Sequence, residues 1–266
     1  MSVHATDSNP FLTGLRKQPP TCQWGLWCSI PSLVTAELCA GAGFDWLLFD
    51  MEHSPTDLKD VYAALQACAA YPVSPIVRPP SNDPVAIKRL LDVGVRNLLI
   101  PFVQTAAQAR EAVSAAFYPP TGTRGLTMTS RANGFGRRLG YLTEAAQQVG
   151  VIVQIETREA LGNLEEIASV EGVSAVFLGP SDLSADMGFL GQPNAPDVRD
   201  AIAGATRTLA GMGMPWGILV GSTQLAAFYA SLGASYVAAG SDLGLLRKAT
   251  DDMAATLRAA PAERAA

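Results

Sequence analysis

Reactive side chains in this sequence collect where short apolar runs end. "FDWLLFDMEHSP" (44–55) closes on Asp50, Glu52 and His53, and the only other histidine is His4, in a polar N-terminal stretch. Imidazole is the side chain that takes and returns a proton near neutral pH, so one placed directly after a strand is a candidate base. "SPIVR" (74–78) ends on Arg78. "VIVQIE" (151–156) carries Gln154 and Glu156, and "SAVFLG" (174–179) leads at once to Ser181 and Asp182 in "GPSDLS". Two later runs end in Ser222 and in Ser241-Asp242.

Gln154 and Glu156 are two residues apart on one strand and therefore point the same way. A carboxylate facing a packed interior needs partners, because leaving it unpaired costs several kcal/mol. Glu156 and Asp182, from adjacent strand ends, would offer two carboxylates to a hard divalent cation such as Mg²⁺ or Mn²⁺, with Co²⁺ as a third candidate. A single useful histidine rules out a zinc site built of several imidazoles. Two carboxylates leave positions open, which suits chelation of a 2-oxo acid through its carboxylate and keto oxygens. Ser181 and the backbone N–H groups of the "GPSDLS" helix start could hold the substrate carboxylate.

Arg78 would then lie near the keto oxygen and stabilise negative charge growing there as a neighbouring C–C bond breaks. His53 would take the proton from the hydroxyl group. A carboxylate must hold the imidazole in the useful tautomer. Asp50 is nearest in sequence, and Asp92 in "KRLLDVG" is the other candidate. Each residue alone also has a plainer reading. Asp182 fits a helix N-cap, Arg78 a structural ion pair, and His53 an ordinary surface or core histidine. The lysines are Lys17, Lys59, Lys88 and Lys248, none at a strand end, which disfavours Schiff-base chemistry.

Something must bring these strand ends to one face. The chain repeats a short apolar run, a turn and an Ala- and Leu-rich helical stretch. The runs are 24–29, 45–50, 74–78, 97–102, 151–156, 174–179, 215–220 and 235–240. Nearly continuous apolar runs mark parallel strands covered on both sides. Eight of them alternating with helices predict an α/β fold, a (β/α)₈ TIM barrel in a single domain over 21–259. A doubly wound open sheet shares the same periodicity. Residues 1–20 read as a partly ordered leader and 260–266 as a tail. The irregular stretch 118–140 is long enough to be functional or oligomer-forming.

With 266 residues and 48% hydrophobic content the chain can bury a large core. Its net charge of −5 argues against nucleic-acid or anionic-membrane partners. Cys22, Cys28, Cys39 and Cys68 lack metal-binding spacing and read mainly as buried thiols. No signal-peptide pattern or membrane span is visible, so a cytoplasmic location is expected.

"GFDWLLFDMEH", "PIVRPPSNDPVAIKRLLDVGVRNLLIPFV", "YPPTGTRG", "VQIETREALGNLEEI" and "GVSAVFLGPSDLSADMG" together resemble the HpcH/HpaI family of class II, metal-dependent pyruvate aldolases. The similarity runs over nearly the whole chain. It implies reversible aldol cleavage of 4-hydroxy-2-oxo acids, of the 2-dehydro-3-deoxyglucarate or 4-hydroxy-2-oxoheptanedioate type, to pyruvate or a close analogue and an aldehyde. By matching motif it makes His53 the general base, Arg78 the transition-state stabiliser, and Asp92 the residue that raises the basicity of the histidine, across a subunit contact or within the chain. Glu156 and Asp182 become the metal ligands, and Gln154 and Ser181 the substrate contacts. It also implies a homohexamer whose C-terminal helices are exchanged between subunits. Two departures stand out. Met51 replaces the glycine of the familiar D-G-E-H, and "LTMTS" (126–130) is unusual. Both are expected to reshape the pocket for the aldehyde half. Other readings are a barrel lyase acting on an acyl-CoA thioester, for which no basic cleft is evident, and a non-catalytic oxo-acid binder.

Overall fold

A computed structural model describes residues 8–17 and 21–259. Half of the expected leader, including His4, and the tail 260–266 lie outside the described residues. The strands are β1 (Gln23–Cys28), β2 (Trp46–Asp50), β3 (Ser74–Arg78), β4 (Asn97–Ile100), β5 (Gly150–Ile155), β6 (Val173–Leu178), β7 (Trp216–Val220) and β8 (Tyr236–Ser241). All neighbours are parallel, and β8 pairs with β1, so the sheet closes as a barrel. Closure removes the open-sheet alternative. Each strand lies within one or two residues of its expected position.

Side chains alternate along each strand, which sorts the apolar residues into two cores. Trp27, Trp46, Leu48, Ile76, Leu99, Ile152, Phe177 and Tyr236 fill the barrel interior. A larger cluster, including Leu26, Leu47, Val77, Leu98, Val153 and Leu178, packs the outer barrel wall against the helices. Large aromatic rings fit inside because Gly25 and Gly217 leave room. A Cβ at Gly25 would strike the Trp46 ring, and one at Gly217 the Tyr236 ring.

Helix starts follow side-chain chemistry. Asp57, Asp83, Thr105 and Ser222 each cap the helix that follows them. The helical stretch after β5 is split at Asn163 into Arg158–Gly162 and Leu164–Ala168, and the Asn163 side-chain amide donates to the Gln104 carbonyl at 2.9 Å. The helix start expected in "GPSDLS" is the short helix Pro180–Asp186, and two further helices were not expected, Pro10–Leu15 and Tyr141–Gln148. Pro10–Leu15 plugs the N-terminal end of the barrel. Phe11 is fully buried and meets Tyr236 and Trp46 edge-on at centroid distances of 5.2 and 6.4 Å. Asn9 donates to Asn97 Oδ1 at 2.7 Å, and Gln23 donates to the Phe11 carbonyl at 3.2 Å. With that end sealed, the opposite face carries the free strand ends.

Cys28, Cys39 and Cys68 are buried, Cys22 is partly so, and all four are free thiols, as expected. Among the described residues no helix is long and apolar enough to cross a membrane.

Candidate active site

Inward register carries Trp27, Asp50 and Arg78 to the last turn of β1, β2 and β3. Arg78 Nε and Nη2 donate to Asp50 Oδ1 and Oδ2 at 2.8 and 2.7 Å. Trp27 Nε1 donates to Asp50 Oδ2 at 3.2 Å, and the Arg78 guanidinium carbon sits 4.8 Å from the centre of the Trp27 ring. Burial pushes the Asp50 carboxyl up, but the hydrogen bonds and charge of Arg78, with Trp27 and the Glu52 N–H, hold it below the ordinary carboxylate range. The structural ion pair considered for Arg78 therefore exists. It also fixes the guanidinium at a strand end with only 5% of the residue exposed.

The chain then turns tightly. Asp50 Oδ1 accepts the backbone N–H of Glu52 at 3.0 Å and of His53 at 3.5 Å. Glu52 Oε2 lies 2.7 Å from Arg78 Nη1 and 3.7 Å from His53 Nε2. Burial raises the Glu52 carboxyl above its ordinary value, against the opposing charges of Arg78 and His53. The His53 side chain is 63% exposed, beside this buried cluster. Met51, just past the end of β2, is half-buried and packs against the outer core between barrel and helices.

On β5 the same parity places Gln154 and then Glu156 inward, at 3% and 2% exposure. Gln154 Nε2 donates to Glu156 Oε2, and the Phe102 backbone N–H donates to Glu156 Oε1 at 2.9 Å. A Cβ at Gly179 would strike the Glu156 side chain, so the end of β6 must be glycine. Burial, with the nearby negative charge of Asp182, pushes the Glu156 carboxyl up to about 7. Asp182 is exposed in the first turn of Pro180–Asp186 and makes no capping bond; Gly179 is the N-cap. Its N-cap reading is thereby overturned, and the carboxylate is free for a ligand. Ser181 is exposed beside it.

Asp92 lies elsewhere. It ends the helix Pro84–Asp92, which runs back from the β3 end toward the sealed end of the barrel, and Arg124 Nη2 donates to its Oδ1 at 2.8 Å. Within one chain the fold therefore separates Asp92 from His53. Ser222 and Asp242 have architectural roles. Ser222 caps its helix, and Asp242 accepts the N–H groups of Ser29 and Ile30 at 2.9 and 3.1 Å. Two participants escaped sequence reasoning. Trp27 could have been found from inward parity with Gly25, whereas the Phe102 backbone N–H leaves no mark in the side-chain pattern.

A parallel (β/α)₈ barrel with an arginine, a histidine and two facing carboxylates at its strand ends has the layout of a carbon–carbon lyase. The family pattern described as HpcH/HpaI aldolase/citrate lyase matches residues 23–249, and the chain belongs to that family. A pyruvate aldolase of Rhizobium etli is 52% identical over 233 residues, covering 88% of this chain and 92% of that protein. The 4-hydroxy-2-oxo-heptane-1,7-dioate aldolase of Escherichia coli is 51% identical over 248 residues, 93% of this chain and 94% of that one. The crystal structure of an HpcH/HpaI aldolase/citrate lyase family protein from Burkholderia cenocepacia superposes with a TM-score of 0.91 at 38% identity. It covers 95% of this chain and 100% of the other.

Proposed function

We propose that the protein is a divalent-metal-dependent class II aldolase that reversibly cleaves 4-hydroxy-2-oxo acids to pyruvate, or a close analogue, and an aldehyde. The observation that carries this reading is the pair Glu156 and Asp182 beside an arginine already clamped by Asp50. Two carboxylates, one of them raised first by burial and then by the charge of the other, are suited to a cation. Gln154 Oε1, a buried acceptor without a hydrogen-bond partner, is suited to a ligand of that cation or to substrate. Among the described residues no group of three His, Cys, Asp or Glu side chains is placed to hold a metal ion, so the proposed site rests on two carboxylates.

Glu156 and Asp182 would hold Mg²⁺, Mn²⁺ or Co²⁺, which supplies Lewis-acid polarisation of the keto oxygen. Arg78 has five N–H donors, and those facing Asp50 and Glu52 leave others for that oxygen as negative charge grows on it. His53 takes the proton from the C4 hydroxyl as the C3–C4 bond breaks, and returns one to the three-carbon fragment. Gln154 and Ser181 orient the oxo acid. Asp92 acts on a histidine of another subunit, since its own His53 is at the other end of the barrel. None of the four lysines lies at a strand end, which favours the metal route over a Schiff base.

A homohexamer with exchanged C-terminal helices fits the surface. Asp242–Ala259 exposes Leu243, Leu245, Leu246, Met253 and Leu257, each more than half exposed. Trp24, Val34, Leu38 and Phe228 are exposed on elements flanking β1 and β8, where a barrel's eighth helix ordinarily packs. Four free cysteines fit a reducing cytoplasm.

The test is a retro-aldol screen of 4-hydroxy-2-oxo acids with Mg²⁺, Mn²⁺ and Co²⁺, reading pyruvate release through lactate dehydrogenase. Metal-dependent release from at least one such acid is expected. No release from any acid with any metal would overturn the reading.

A further inference from the structure

Phe102 is held in a conformation that an aromatic residue rarely adopts. Its φ is 55°, in the left-handed region, where Cβ crowds its own backbone and glycine is the ordinary occupant. The surroundings show what imposes it. The Phe102 N–H donates to Glu156 Oε1 at 2.9 Å, and the next N–H, of Val103, donates to the Gln154 carbonyl at 3.3 Å. Two successive donors tie the segment after β4 to the end of β5. Pro101 and Val103 are buried, while Phe102 between them is 53% exposed.

This fixes the place of the Phe102 Cα. One covalent bond separates the hydrogen-bonded nitrogen from Cα, so Cα lies within about 4.5 Å of the Glu156 oxygen. The Phe102 Cα therefore sits beside the strand end that carries Glu156 and Gln154, with the residue half exposed. The next polar side chain along the chain, Gln104, is neutral and donates to Thr157 and Glu159.

We propose that the Phe102 ring is the wall against which the aldehyde half of the substrate packs, selecting aldehydes with an apolar substituent. This rests on the aldolase reading above and adds to it a specificity-determining residue. The strained backbone serves Glu156, and the side chain it turns outward serves the substrate.

The experiment compares wild type with Phe102→Gly, which retains the N–H and tolerates the left-handed φ, and with Phe102→Leu, which retains an apolar wall. Aldol addition of pyruvate is measured to hexanal, phenylacetaldehyde and glycolaldehyde. In Phe102→Gly the kcat/KM ratio of either apolar aldehyde to glycolaldehyde should fall at least about tenfold, mostly through KM, and in Phe102→Leu by less than about threefold. Mn²⁺ titration of each protein reads whether the support of Glu156 survives, and size-exclusion mass reads assembly. A ratio unchanged in Phe102→Gly overturns the proposal. So does a change in assembled mass, which would mean that a second copy covers the ring. Loss of solvent deuterium exchange into pyruvate by the metal-loaded wild type would overturn the aldolase reading itself. Retained exchange with unaltered aldehyde preference would overturn this proposal alone.

Discussion

Arg78 lays Nε and Nη2 against the two carboxylate oxygens of Asp50, at 2.8 and 2.7 Å, and the indole of Trp27 closes the same carboxylate from the β1 side. The guanidinium is thereby aimed before substrate arrives. Lysine makes one point contact and cannot bridge both oxygens. Arg78→Lys is therefore expected to lower kcat for pyruvate release by about 10²–10³-fold, the usual loss when an oriented transition-state donor is removed. Steady-state kinetics on purified, folded variant check this.

The same pair sets a pH dependence of stability. The Asp50 carboxyl is held below its ordinary value, so its contribution is present above the unfolded-state value, near ~3.9, and is lost as pH falls through the folded-state value. Asp50→Asn leaves the buried Arg78 with Glu52 as its remaining carboxylate partner and should cost about 3 kcal/mol at pH 7. Urea unfolding of both proteins from pH 7 to pH 3 should show a difference that is flat above about pH 5 and shrinks below about pH 4.

Met51 is a packing residue. Met51→Gly should lose about 1–2 kcal/mol through the half-buried side chain and the added chain freedom, while leaving the ranking of aldehydes unchanged. Denaturant titration gives the first quantity, and kcat/KM over an aldehyde series gives the second.

The helix Asp242–Ala259 carries Leu246, Met253 and Leu257 at helical spacing on one exposed stripe. If the proposed hexamer docks through this stripe, Leu246→Glu together with Met253→Glu should give smaller species, read by light scattering, because a charge on each exposed stripe opposes docking. An unchanged mass would remove this helix from the interface.

Much of the barrel was legible because its strands are apolar on both faces and its helices announce their starts at Asp57, Asp83 and Ser222. Glu156 was legible through its parity with Gln154, and the corner of Asp50, Glu52 and His53 through its strand-end position. Other features depend on three-dimensional closure or on backbone atoms. Pro10–Leu15 reads as a polar leader until Phe11 is seen filling the sealed end. The Phe102 N–H belongs to the main chain and has no sequence signature. Asp92 looked equivalent to Asp50 as a partner of His53 along the sequence, yet its helix runs to the opposite end of the barrel. Met51, conspicuous as a motif departure, packs against the outer core between barrel and helices.

The central claim, metal-assisted proton chemistry on pyruvate at Glu156 and Asp182, is met most directly by following the pyruvate methyl signal by proton NMR in deuterated buffer. With Mg²⁺, Mn²⁺ or Co²⁺ the protein should catalyse loss of that signal, and excess chelator, Glu156→Gln or Asp182→Asn should each abolish it. Exchange that continues at full rate in chelator, or that survives both substitutions, would contradict the account.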